Sequence, residues 1–458
     1  MSKQEYDIQK LKPRGSDPNG QTRHFLLLLS LFLCLHTNSQ SPIHYLREAI
    51  NAEKWIQSLQ QQDNTGICWP NSKDSAYHSP DLYSGNSGIV LFYLSLYQST
   101  HRNEYLSIAQ KAADRMINEL PERWNEENMG LYTGAAGIAY TIHQVFIATK
   151  NKKYLHKTSE LLKRISIAIA PDSVKEKLAN DIVYGLAGIG LVYIYAHQHK
   201  IHPIALPTAN SIAEILLSRA QPVQQGIRWP MFMRDTAKKF YMPNFSHGTA
   251  GIAYFLANLF EATKDKRYKD AALAAGNYLI TIADKDGWIY HAEPNPSSMK
   301  RYYVSWCHGP AGTARLYYKL FQLSADKKWE KEMLKSADAL MRCGLPTTKM
   351  DGYWNNISYC CGNAGIASFF LSLDELYPGR SYRQFADTMI EDLLKRSTRN
   401  NNHQYWIQAE NRAQPQLLQA QTGLMQGASG VGITLLHALS SSRNKKAMVV
   451  LPDNPFIK

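Results

Sequence analysis

Seven short glycine motifs constrain this chain more than any other feature. They read Ser84-Gly85-Asn86-Ser87-Gly88, Thr133-Gly134-Ala135-Ala136-Gly137, Tyr184-Gly185-Leu186-Ala187-Gly188 and His247-Gly248-Thr249-Ala250-Gly251. His308-Gly309-Pro310-Ala311-Gly312, Cys361-Gly362-Asn363-Ala364-Gly365 and Gln426-Gly427-Ala428-Ser429-Gly430 complete the set. Their first glycines fall 49 to 65 residues apart. A single Gly-x-x-Gly carries no information. Seven of them, each with a small residue before the second glycine and an apolar run after it, define an internal repeat.

The runs after the glycines, such as Ile89-Val90-Leu91-Phe92-Tyr93-Leu94, are apolar on nearly every side, which predicts helices buried all round. Between them lie amphipathic segments. In one, Ile108, Ala109, Ala112, Ala113, Met116 and Leu120 keep helical spacing while Lys111, Asp114, Arg115 and Glu119 face away. Similar outer helices are expected near 44–59, 154–168, 208–219, 268–283, 329–342 and 382–395. Each unit therefore reads as an outer helix, a loop and an inner helix. Seven units predict an all-α fold, a double-ring α/α toroid of about fourteen helices. An open solenoid would need polar faces on its end repeats. The first and last inner helices are as apolar as the rest, so the ring is read as closed. The glycines let the backbone turn and pack closely at each inner-helix start, and Pro310 suits a first turn. All inner N-termini then point to one end, which gathers loops and partial positive charge. A functional site is expected on that rim.

Three segments follow: an N-terminal tail over 1–40, the barrel over 41–440 and a C-terminal tail over 441–458. The first contains Phe25–Leu35, an eleven-residue apolar run after Arg23. It is shorter than the roughly 20 residues a membrane helix needs. It fits a signal-peptide core with cleavage before Gln40, which implies export or membrane association through this segment. The alternatives are a disordered tail with an apolar patch, or lipid attachment at Cys34. With 51 basic and 38 acidic side chains the formal charge is +13, which favours acidic partners. Lys and Arg are scattered with no dense basic stripe, so nucleic acid is not an expected partner. Six cysteines are too few for a disulfide scaffold in 458 residues. A monomer is expected.

The residues just before the glycines carry the chemistry. Repeats four, five and six offer Ser246-His247, Trp306-Cys307-His308 and Tyr359-Cys360-Cys361. A catalytic zinc takes three protein ligands and leaves one position open, and Cys307, Cys360 and Cys361 supply three thiolates from adjacent loops. The competing reading is a vicinal disulfide between Cys360 and Cys361. Cys68 and Cys343 read as buried apolar residues. A lone histidine is usually structural, but His247 at the same rim reads as functional. His308 is either a second acid/base or a metal-orienting neighbour. Asp181 either orients a histidine, binds substrate or caps a helix. Trp306 and Tyr359 line the pocket or pack under it.

With these motifs, Trp306-Cys307-His308-Gly309 and Cys361-Gly362 among them, residues 45 to 440 resemble the lanthionine synthetase C-like proteins. The resemblance implies a double ring of fourteen helices, a catalytic zinc, and closure of thioether rings in peptides carrying dehydrated Ser or Thr. It implies that Cys307 and Cys360 are zinc ligands, with Cys361 where the commonest form has histidine and a Cys-Cys-Gly form has a third cysteine. It implies His247 as the acid/base and Asp181 as the aspartate beside it; His308, from its own rim position, stays a second catalytic candidate. The expected activity is zinc-dependent addition of a cysteine thiolate to a dehydroalanine or dehydrobutyrine. The partner is a modified peptide, or a small thiol and a dehydroamino acid acceptor. One departure is plain: the family's arginine four residues before the first zinc cysteine is Tyr303 here, and the nearest arginine is Arg301. Two other readings are an exported glycan-processing α/α barrel, which would need two carboxylates flanking the scissile bond, and a non-catalytic barrel that binds a peptide.

Overall fold

A computed structural model describes residues 42–457 apart from 123, 126–127, 234–239, 294–301, 348–352, 355, 411 and 446–448. The apolar run at 25–35, the cleavage point before Gln40 and Arg301 lie outside the described residues. Among the described residues no helix is long and apolar enough to cross a membrane.

Fourteen long helices form the described architecture. The outer ones are α1 (Pro42–Ser58), α3 (Asn103–Asn118), α5 (Lys152–Ala168), α7 (Ala205–Ser218), α9 (Lys266–Ile282), α11 (Lys327–Arg342) and α13 (Tyr382–Lys395). The inner ones are α2 (Asn86–Thr100), α4 (Ala135–Thr149), α6 (Leu186–Gln198), α8 (Thr249–Thr263), α10 (Pro310–Ser324), α12 (Asn363–Leu376) and α14 (Ala428–Ser442). The first eleven residues of α2 are all buried, as an all-round apolar run demands. Outer α3 buries only Tyr105, Ala109, Ala112, Ala113 and Met116, one stripe at helical spacing.

The pairing differs from the expected unit by one helix. Each inner helix packs most closely on the outer helix that follows it, not the one before. The cause is a tight turn. At His101, Lys150, Lys264 and Ala325 the backbone enters the left-handed region and ends the inner helix. In three of these turns the next residue, Asn151, Asp265 or Asp326, caps the outer helix by accepting from the backbone N–H two positions on. Outer-to-inner connections are long, and two-stranded hairpins such as Gln61–Asp63 with Gly66–Cys68 and Gln221–Val223 with Gly226–Arg228 occupy some of them. The first outer helix then packs on the last inner one, closing the ring. Tyr45 of α1 donates to Asp387 of α13, and buried Glu48 pairs with Arg399.

A second closure runs along the rim. The residue two before each first glycine donates its N–H to the next repeat around the ring. Tyr83 donates to Tyr132 (2.8 Å), Tyr132 to Val183 (3.1 Å), Ser246 to Cys307 (2.8 Å) and Cys307 to Cys360 (3.1 Å). Cys360 donates to Met425 (2.9 Å) and Met425 back to Tyr83 (2.8 Å). In repeat three the neighbouring Ile182 takes the role, donating to Ser246 at 3.2 Å. An open solenoid cannot form this circuit.

The glycines serve close approach, not unusual backbone angles. Gly248 sits at φ −148°, and a Cβ there would meet the Met242 carbonyl oxygen at 1.5 Å. A Cβ on Gly312 would meet the Trp306 carbonyl at 1.9 Å. Each loop thus folds back on the start of its own inner helix. The first helical N–H groups donate to carbonyls seven residues upstream, as in Asn363 to Asn356 and Ala364 to Ile357. The partial positive charge expected at this rim is therefore already engaged by the loops.

The segment after α14 returns inward. Asp453 is fully buried and accepts from Trp306 Nε1 at 2.7 Å and Tyr132 Oη at 3.0 Å, while Arg315 donates to its backbone oxygen at 2.8 Å. Tyr140 Oη donates to the Val450 carbonyl, and Phe456 stacks on Tyr318 of α10. These partners come from different parts of the ring, so the segment occupies its bore.

Glu53 of α1 gives a stability test. It is buried, takes one hydrogen bond from Tyr93 of α2 at 3.1 Å, and burial pushes its pKa from 4.5 up to about 7. A raised carboxyl pKa means the folded state binds the proton more tightly than the unfolded chain. Its stabilisation is complete below about pH 4.5 and is lost as pH rises through about 7, a swing of roughly 3 kcal/mol. Glu53→Gln should therefore narrow the drop in melting temperature between pH 5 and pH 8. An identical drop in wild type and variant would show that Glu53 ionises normally.

Candidate metal centre and active site

Because the rim is a closed circuit, residues at one register position face one another. Cys307 and Cys360 both stand two before their first glycines, and Cys361 follows immediately. All three are buried and free, with sulfur atoms within 4.8 Å of one another. Cys361 Sγ lies 3.3 Å from both Cys307 Sγ and Cys360 Sγ. Three thiolates in a tetrahedral zinc shell would stand about 3.8 Å apart, given Zn–S bonds of about 2.3 Å. The trio therefore fits such an ion with small adjustments. Burial pushes the Cys307 and Cys360 thiols up, whereas hydrogen bonds shared with those two sulfurs hold Cys361 well below the usual thiol range. Three thiols in one dry site are a soft-donor set suited to a dication.

Beside the trio stands a carboxylate–imidazole pair. Asp181 is fully buried; its Oδ2 accepts from His247 Nδ1 at 2.6 Å and its Oδ1 from the Tyr184 N–H at 3.0 Å. The inner helix of that repeat is capped by Gly185, so Asp181 is not its N-cap. Fixing Nδ1 leaves Nε2 of His247 to exchange a proton, and the ring is about one-fifth exposed. Tyr184 stacks on His247 with ring centres 5.5 Å apart and an interplanar angle of 16°. On the other side His308 stands 5.4 Å from His247, centre to centre. His308 is buried, and burial with the adjoining His291 and His247 holds its pKa well below the usual imidazole range, so it is neutral. His291 and Tyr303 continue the row, 4.4 and 5.2 Å from His308. Burial followed by the charge of Cys361 raises the Tyr303 phenol, which keeps it a hydrogen-bond donor.

The structure thus brings Asp181, His247, Cys307, His308, Cys360 and Cys361 onto one rim. Trp306 is buried beneath, its ring 4.9 Å from that of Tyr132. Cys68 and Cys343 lie buried away from the trio. Sequence reasoning missed Tyr83, Gln426, His291 and the exposed stacking face of Tyr184. Tyr83 and Gln426 had a signal, since they occupy the register of Cys360 and Cys361. His291 has none, because it lies in a long connection outside any repeat. Past Tyr184 a cavity of about 840 Å³ opens, lined by Asp81, Thr133, Tyr184, Met231 and Phe232 among others.

A family model for lanthionine synthetase C-like proteins matches residues 76–451. This chain belongs to that family. Among its relatives, a Danio rerio protein named glutathione S-transferase LANCL1 is 24% identical over 67% of this chain and 73% of its own length. The lacticin 481/lactococcin biosynthesis protein LcnDR2 of Lactococcus lactis is 24% identical over 70% of this chain, which spans about a third (32%) of that protein. Nisin cyclase superposes with a TM-score of 0.62 at 15% identity, over 88% of this chain and 94% of its own. A D-mannose isomerase reaches 0.50 at 12% identity, over 89% and 98%. At these identities the superpositions establish a shared α/α toroid, and the family match adds the lineage.

The metal reading has a direct check. After zinc loading and exhaustive dialysis, the protein should retain about one zinc per chain, and Cys360→Ala should lose it, as removal of one of three ligands from such a site does. Elemental analysis giving no zinc on the folded wild type would end the metal reading.

Proposed function

We propose that this rim site adds a cysteine thiol to the β-carbon of a dehydroalanine or dehydrobutyrine, closing a thioether ring in a modified peptide. The observation that carries the reading is the meeting of three buried thiols with the Asp181–His247 pair on one rim of a lanthionine synthetase C-like barrel. Cys307, Cys360 and Cys361 would hold zinc, which when bound supplies the Lewis acidity that makes a substrate thiol a thiolate near neutral pH.

The remaining work falls to the chain itself. A carbon–sulfur bond forms at the β-carbon as the carbon–carbon double bond opens, and the electron pair moves toward the α-carbon and its carbonyl. The thiol gives up one proton and the α-carbon gains one. Asp181 orients His247 through Nδ1, so Nε2 delivers that proton. His308, neutral and buried, is a poor donor and instead backs the His247 ring. Tyr303 stands where related cyclases carry an arginine, and its hydroxyl offers a neutral donor on the acceptor side. The cavity beyond Tyr184 gives flanking peptide residues a place to lie. The glycan-processing alternative finds less support, because it gives the three thiols no role.

The assay uses a dehydrated peptide with one free cysteine. Cyclisation leaves mass unchanged but removes the thiol, so the product should no longer take up N-ethylmaleimide. His247→Gln should lower kcat by about 10²- to 10⁴-fold, the usual worth of a positioned acid/base. Asp181→Asn should cost about 10- to 100-fold, as loss of an orienting partner does. If the zinc-loaded protein consumes no thiol, the non-catalytic peptide-binding reading takes its place. Glutathione in place of the internal cysteine tests a small thiol as donor, read as a mass gain on the peptide.

We further propose that the apolar run at 25–35 directs export or membrane association. N-terminal sequencing of the mature chain should then begin near Gln40, and a start at Met1 would leave only a tether.

A further inference from the structure

Two residues from distant repeats reach the thiol trio and have no part in the reaction above. Tyr83 belongs to the first repeat and Gln426 to the seventh. Tyr83 stands two before its first glycine, like Cys360, and Gln426 stands one before, like Cys361. Ring closure sets both against the cysteines. Tyr83 Oη donates to Cys360 Sγ at 3.3 Å. Gln426 Nε2 donates to Tyr83 Oη at 2.8 Å and lies 3.9 Å from Cys361 Sγ. The Gln426 amide is itself held in place. Gln408 Nε2 donates to the Gln426 backbone oxygen at 2.6 Å and its Oε1 at 3.3 Å, and Gln408 Oε1 accepts from the Ile357 N–H at 3.1 Å. Both glutamines are buried, so this chain of donors is shielded from water.

The arrangement answers a charge problem. Three thiolates on a dication leave one formal negative charge, where two thiolates and a neutral donor leave none. Excess thiolate donation weakens the metal as a Lewis acid, and a hydrogen bond to sulfur withdraws part of that charge. We propose that Tyr83 and Gln426 are positioning residues that donate hydrogen bonds to the Cys360 and Cys361 thiolates and moderate the charge of an all-cysteine metal site. The inference rests on the reading of the trio as a metal site.

The test uses the metal alone. Cobalt(II) is titrated into zinc-free wild type, Tyr83→Phe and Gln426→Met, following the thiolate-to-cobalt charge-transfer band and affinity by chelator competition. Sulfur without its hydrogen bond gives up an electron more easily, so the band should move to lower energy in both variants. The metal Kd should rise about tenfold. Because the two residues form one chain of bonds, the double variant should fall short of the sum of the single effects. A merely structural role would lower the melting temperature and leave the band in place. Folded variants that bind one cobalt with the wild-type band and affinity overturn the proposal while the metal site stands. A wild type that takes up no cobalt overturns both.

Discussion

The circuit of backbone hydrogen bonds around the rim is the constraint on which the rest of this molecule depends. A single bond of this kind contributes only about 1 kcal/mol net. Its weight comes from closure. Each buried N–H in the circuit would be left unpaired if the ring opened, and opening at any point exposes the apolar flanks of two repeats. A linear array can fray from its ends. Here the Met425 N–H donates to Tyr83 and α1 packs on α14, so no repeat is an end. The glycines belong to the same constraint. Only a residue without Cβ lets the loop carbonyls sit so close to the helix starts, and only then do the rim residues align at one height.

Alignment at one height is what turns a repeat into a site. The positions one and two before each glycine project from a fixed frame, so a change of residue type there changes chemistry without changing the fold. Cysteines in repeats five and six give the thiol trio. Histidine in repeat four, held by an aspartate of repeat three, gives the carboxylate–imidazole pair. Tyrosine in repeat one and glutamine in repeat seven give the donors to sulfur. The trio is also electrostatically incomplete. Burial opposes ionisation of Cys307 and Cys360, and the Glu410 carboxyl nearby is raised by burial and by the Cys361 charge. A bound dication would resolve this conflict, because it would let all three sulfurs ionise in a dry site.

Much of this was legible in the sequence, for one physical reason: a repeat writes its geometry into periodic spacing. The toroid, its inner and outer helices and the shared rim of Asp181, His247, Cys307, His308, Cys360 and Cys361 all follow from the glycine register. What escaped depends on contacts that spacing does not encode. Tyr83 meets Gln426 across 343 residues only because the ring closes. The hairpins are strands of three residues, too short for an alternating pattern to show. The inner-to-outer pairing turns on left-handed conformations at His101, Lys150, Lys264 and Ala325, which lysine and alanine seldom adopt.

The C-terminal segment shows the same limit from the other side. Leu451-Pro452-Asp453-Asn454-Pro455 has the composition of an exposed turn. Burying an aspartate there is costly unless its oxygens are paired. Trp306 and Tyr132 both donate to its Oδ2, and the Arg315 guanidinium, which donates to the Asp453 backbone oxygen, balances the charge from 3.7 Å off Oδ1. The Trp306 indole N–H, in turn, would be an orphaned buried donor without Asp453. Trp306 precedes Cys307 directly, and the Cys307 backbone links repeats four and six through the rim circuit. The segment around Asp453 therefore braces the thiol loop from beneath through Trp306. A site built on a ring needs support from inside the ring, and in this chain the segment that supplies it is the one that folds into the bore after the seventh repeat.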